Sequence, residues 1–149
     1  MAAATHAIVG ATGAVGRALA QRVVKRGGVP LLIGRSADKL DALAKEHNNA
    51  PILVADCAEP ESIAEAFKGA DADMSSIAAY AYCAGSITLK PVRRASLADF
   101  REAFDLNTLS AVEVLKAIEK PLKKNKGARV RPSTAPLAAL TTAWFGRPC

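Results

Sequence analysis

Short apolar runs and helix-like stretches take turns along most of this chain. Residues 5–10 and 29–34 read as strands, as do 52–55 after Pro51 and 77–83. Between them, 14–26 reads as a helix closed by Gly27-Gly28. A second helix opens at Ser36 or Ala37 and runs to about Glu46, with Leu40, Leu43 and Ala44 on one face. A third covers 60–67, with Pro60 in its first turn, where a missing N–H costs nothing. A turn over 69–76 leads to the fourth strand. Residues 96–124 are expected to be helical, with room for a bend, and Ser96-Leu97-Ala98-Asp99 has the form of a capping box. A fifth strand begins at 128. Alternation of this kind predicts an α/β fold: a parallel sheet covered on both faces and joined by right-handed crossovers.

Composition narrows the class without changing that picture. At 149 residues, half of them apolar, the chain is sized for one domain with a real core. No apolar run approaches the ~20 residues that span a bilayer, and residues 1–6 show no targeting pattern. Cys57, Cys83 and Cys149 are odd in number and widely spaced, which suits a reducing compartment and speaks against a zinc site. His6 and His47 have no neighbouring ligands, so no metal is expected. A cytoplasmic protein with no membrane partner is the expectation. The net charge of +6 is concentrated at Lys120, Lys123, Lys124, Lys126, Arg129 and Arg131. No aromatic residue interleaves with them, so they read as a solvated helix end and not as a nucleic-acid surface.

The chemistry begins at Ile8-Val9-Gly10-Ala11-Thr12-Gly13-Ala14-Val15-Gly16. An apolar run enters a Gly-x-x-Gly-x-x-Gly turn and a helix follows at once. Residues without Cβ permit the tight turn, let a pyrophosphate approach the backbone, and let helix and strand pack closely. The helix N-terminus then offers free N–H groups and a positive dipole to the anion. The reading is a nucleotide-binding turn that includes Thr12, Ala14 and Val15.

With these residues in place, the chain from about Thr5 to Val130 resembles the short-chain dehydrogenase/reductase family. Asp56 follows the third strand, where the family has an acidic residue against the adenine, and Cys57 comes next. Cys83-Ala84-Gly85 follows the fourth strand, where the family has Asn-Ala-Gly beside the cofactor. Leu89-Lys90-Pro91, Leu97-Ala98-Asp99-Phe100 and Phe104-Asp105-Leu106-Asn107 look like the family's next helix. An Asn at the position of Asn107 there holds a water in a proton relay, which makes it the catalytic candidate. The resemblance implies a doubly wound, Rossmann-like sheet of order 3-2-1-4-5, and hydride transfer between NADP(H) and a carbonyl or alcohol. Two departures stand out. The middle glycine, Gly13, lies one residue earlier than in the family's mainstream members. Cys83 replaces the Asn and reads as a small buried thiol.

NADP is favoured over NAD. An NAD site places Asp or Glu about 20 residues past the glycines, on the ribose 2′-OH. This chain has Gly34-Arg35-Ser36, where Arg35 can pair with a 2′-phosphate and stack on adenine, with Lys39 adding positive field.

The family's Tyr-x-x-x-Lys pair is missing from this sequence. Tyr80 and Tyr82 are followed four residues later by Ala84 and Ser86, and no tyrosine lies beyond them. Residues 131–149 carry three prolines and read as an irregular tail outside the family pattern. The expectation is a dinucleotide-binding domain over 1–130 in a chain truncated at its C-terminal elements and catalytically incomplete. The alternative is a non-catalytic NADP-sensing or interaction module. A homo-oligomer formed through helix 96–124 is the expected assembly.

Overall fold

The computed structural model describes residues 3–69, 77–86, 89–124 and 129–132. The turn expected across 70–76, the start of the last strand at 128, and the tail beyond Pro132 lie outside the described residues. Five parallel strands form one sheet: β1 (Thr5–Val9), β2 (Val29–Gly34), β3 (Ile52–Val54), β4 (Ile77–Tyr82) and β5 (Arg129–Pro132). Their order is β3-β2-β1-β4-β5, the doubly wound arrangement. The helices are α1 (Ala14–Lys25), α2 (Ala37–Glu46), α3 (Pro60–Lys68), α4 (Leu97–Phe104) and α5 (Ser110–Lys124).

Alternation along the strands builds the two core layers. Ala7, Val9, Leu31 and Ile33 point to one face, where α3 and α5 contribute Ile63, Val114 and Ile118. Ile8 and Leu32 point to the other, against Ala20 and Val23 of α1 and Leu40 and Leu43 of α2. β1 and β2 are therefore apolar on both sides, which is why these parallel strands read as continuous apolar runs. The β1–β4 register slips once, from Thr5 opposite Ile77 to His6 opposite Ala79. That extra residue lets Ile77 and Tyr80, three apart, both enter the α5-side core.

The helix expected over 96–124 is three pieces in one line. Ser96 caps α4 by accepting from the Asp99 backbone N–H, while the Asp99 carboxylate accepts from the Ser96 N–H. A π-helical turn, Asp105–Leu109, then precedes α5. The turn and the start of α5 are bound from the sheet side: the Tyr82 hydroxyl donates to the Leu106 carbonyl, and the Tyr80 hydroxyl donates to that of Ala111 at 3.1 Å. The Ser110 hydroxyl lies within reach of the carbonyls of both Asp105 and Cys57. Wide π winding leaves carbonyls poorly served by their own helix, and these side chains satisfy them.

Candidate functional site

Because the strands are parallel, the turns after β1, β2, β3 and β4 all open at one edge of the sheet. In such sheets ligands bind outside the carboxyl ends of the strands, where neighbouring crossovers diverge. Here that divergence falls between β1 and β4.

The glycine turn is built to the spacing its sequence suggests. Gly10 has φ +74°, and a Cβ there would lie 2.6 Å from the Ala84 nitrogen, inside the backbone of the β4 turn. A Cβ on Gly16 would lie 2.3 Å from the Gly10 carbonyl oxygen. The N–H groups of Gly10 and Ala11 both donate to the Ile33 carbonyl, at 2.9 and 3.1 Å, pinning the turn to β2. Thr12 faces Gly34 at the end of that strand. Gly13 is the N-cap of α1 and supplies no side-chain cap, and the helix's first turn holds no acidic residue. The N–H groups there are thus left to an external acceptor, beside the exposed backbone of Gly13, Ala14 and Val15. An anionic diphosphate fits this cradle.

Around it stand the other candidates. Arg35 is exposed just past β2 and makes no ion pair among the described residues. Arg17, in contrast, is engaged by Glu46 at 3.2 Å. Ser36 caps α2 by position, with its hydroxyl unspent on the helix. Asp38, in the first turn of α2, is the nearest carboxylate to Arg35 in sequence. Asp56 is half-buried after β3, where its carboxylate accepts from the Ala58 N–H at 2.9 Å. Cys57 turns its side chain into the core, and burial pushes its thiol pKa up. Cys83 and Ala84 are half-buried directly against Gly10. Burial also raises the pKa of Cys83, so the thiol stays protonated and poorly nucleophilic.

Asn107 sits in the π turn, facing the loop after β4. Its carboxamide bridges Ser86, donating to the Ser86 carbonyl at 3.0 Å and accepting from the Ser86 N–H at 3.1 Å. A Cβ on Gly85 would lie 2.9 Å from the Asn107 oxygen, so a larger residue there would push on the clamping carboxamide. The side chain that sequence suggests as a water holder thus clamps the backbone beside the cradle. Ser86 and the two tyrosine hydroxyls are the parts that sequence reading missed. The available signal was a pair of tyrosines at alternate positions of a buried strand, each needing a hydroxyl partner.

Among the described residues no three His, Cys, Asp or Glu side chains gather as a metal site, and no helix is long and apolar enough to cross a membrane. A groove of about 820 Å³ lies elsewhere, between α1 and the alanine face of β4, rimmed by His6, Arg22 and Arg26. It is apart from the glycine turn and is not the site built here.

A family model described as short chain dehydrogenase matches residues 4–131. Among solved structures, serine dehydrogenase from Escherichia coli superposes with a TM-score of 0.74 at 22% identity, covering 85% of this chain and 59% of that one. A short-chain type dehydrogenase/reductase from Mycobacterium ulcerans gives 0.79 at 20%, covering 96% and 62%. A gluconate 5-dehydrogenase from Burkholderia cenocepacia, in complex with NADP and tartrate, gives 0.83 at 19%, covering 99% and 68%. The chain therefore spans about three fifths to two thirds of the length of these structures. A search of curated proteins finds no match.

Proposed function

Since the chain belongs to the short-chain dehydrogenase family, we propose that its carboxyl edge binds a nicotinamide dinucleotide, with NADP preferred over NAD. The observation that carries this reading is the uncapped, acid-free N-terminus of α1, approached through bare backbone at Gly13 and backed by Gly10 and Gly16. In this reading the first-turn N–H groups of α1 take the diphosphate, and Arg35 with Ser36 takes the 2′-phosphate. Arg35 and Lys39 outweigh Asp38, so the local field favours the extra charge. Asp56 lies where the adenine end would rest, and the Cys83-Ala84-Gly85 turn flanks the cradle on the β4 side.

A bound dinucleotide would supply hydride chemistry toward a carbonyl or alcohol. Such transfer needs a proton donor of matched pKa at the substrate oxygen. These 149 residues contain no Tyr-x-x-x-Lys pair, and Asn107 spends both its amide groups on Ser86. The reading is therefore dinucleotide binding without turnover, with Asn107 as a positioning residue. That also accommodates the alternative of an NADP-sensing module.

Calorimetry tests the preference. NADPH is expected to bind at least tenfold more tightly than NADH, because losing a charged phosphate contact costs ~1.5–3 kcal/mol. The substitution Arg35→Ala should erase most of that difference. Equal affinities, unchanged by the substitution, would remove the assignment.

A further inference from the structure

The groove between α1 and β4 is built from one face of each. On the sheet, His6 and Ile8 lie opposite Ala79 and Ala81, on the side that carries α1. Tyr80 and Tyr82 turn to the α5 side, so β4 offers alanine methyl groups to the groove. Along the wall, Leu19, Arg22, Val23 and Arg26 fall at i, i+3, i+4 and i+7, the spacing of a single helix face. Two guanidinium groups therefore stand on the groove side of α1, above an apolar floor.

Their charge is unmatched. Among the described residues no carboxylate lines the groove, and neither Arg22 nor Arg26 has an ion pair. Arg17 of the same helix is met by Glu46. Cations in a last helical turn complement its dipole, which explains their presence at this end of α1 but not why both line a cavity. The His6 ring packs on the turn before β2, where a Cβ on Gly28 would lie 3.2 Å from it, and burial lowers its pKa. The volume of about 820 Å³ suits a small molecule, and from Leu19 to Arg26 the wall runs about 10 Å. An apolar channel with a cationic rim and no acid complements an amphiphile that carries one negative charge.

We propose that this groove binds a monomeric medium-chain fatty carboxylate, its head group held by Arg22 and Arg26 and its alkyl chain laid along Ile8, Val23 and the alanines of β4. The groove reaches Ala4 and Gly28 at the amino end of the sheet, whereas the dinucleotide cradle lies at the carboxyl edge. The two sites can be filled together, and neither assignment depends on the other.

Decanoate is the probe, titrated by calorimetry into the full 149-residue chain below the concentration at which it forms micelles. One saturable site is expected, with octanoate severalfold weaker because it buries less apolar surface. Decanol, with the same chain and no charge, should bind weaker by roughly tenfold or more. The double substitution Arg22→Ala/Arg26→Ala changes two exposed positions and should weaken decanoate by roughly tenfold or more. Ala79→Leu fills the floor and should weaken it as well, with circular dichroism confirming that both variants fold. The chain has two histidines, so NMR locates the ligand: decanoate should shift the His6 ring signals, leave those of His47, and resist displacement by excess NADPH. Absence of saturable binding, equal affinity for decanol, or undiminished affinity in the arginine variant would overturn the proposal. Displacement by NADPH would overturn it too, and would place the ligand in the dinucleotide cradle. Binding to phosphatidylglycerol vesicles without binding of monomeric decanoate would likewise overturn it, and would assign the two arginines to a membrane surface.

Discussion

At Gly16 a single methyl group would collide with backbone on two sides, 2.3 Å from the Gly10 oxygen and 2.7 Å from the Ala11 Cα. Neither neighbour can swing aside, because the Gly10 and Ala11 N–H groups are tied to Ile33. Gly16→Val is therefore expected to abolish dinucleotide binding in calorimetry. It should also lower stability by about 1–3 kcal/mol or more, as overpacking does, read as a drop in melting temperature. Unchanged binding with an unchanged melt would show that the turn is not the cradle. This part of the site was legible in the sequence because it depends on absent side chains at fixed spacing, and glycine announces an absence. Asn107 was legible as a residue but not as a clamp. Its partner Ser86 is 21 positions away and offers only backbone, which no residue type advertises.

The elements followed the apolar pattern to within one or two residues, with the long helix as the exception. Periodicity marks 96–124 as helical but cannot register one widened turn, since a π turn keeps the helix axis while shifting its phase. The Tyr82 and Ser110 hydroxyls hold carbonyls of that turn, and the Tyr80 hydroxyl holds the start of α5. Burial lifts the pKa of both Tyr80 and Tyr82, so the phenols stay protonated and remain donors across the ordinary pH range. Tyr82→Phe removes the donor to the Leu106 carbonyl and is expected to cost about 1–3 kcal/mol, measured by urea unfolding. At the start of α4, the Lys90 ammonium and the Ser96 backbone and hydroxyl hold the Asp99 carboxyl at about 2, below its usual 3.8. The folded form thus favours the carboxylate, so the cap's stabilisation is complete above about 3.8 and is lost as pH falls toward 2. Acid titration followed by NMR should show α4 signals shifting over that window, and Asp99→Asn should flatten the response.

For the molecule as a whole, the alternation of strands and helices was readable, whereas the order β3-β2-β1-β4-β5 came from family resemblance. Local patterning says which segments are strands; which strand lies beside which depends on crossover handedness and on packing of both faces. That order draws four turns into one cradle, while the sequence given holds no Tyr-x-x-x-Lys pair. No measurable NADPH oxidation is expected with a broad panel of aldehydes, ketones and quinones. A turnover number above ~1 s⁻¹, ordinary for enzymes, would mean that catalytic groups come from elsewhere. The widened turn at 105–109 has a further result, in the arithmetic of chain length. Its five residues turn through about the angle that four would in a regular α-helix, so taking one out would restore regular winding with both flanks still in phase. Winding all five as α-helix would instead rotate everything before them by about 100°, so Ser86 would lose its clamp and Leu97, Phe100 and Phe104 would swing to another flank. A one-codon deletion inside the turn, sparing Asn107, is therefore a change of length that this helix can absorb.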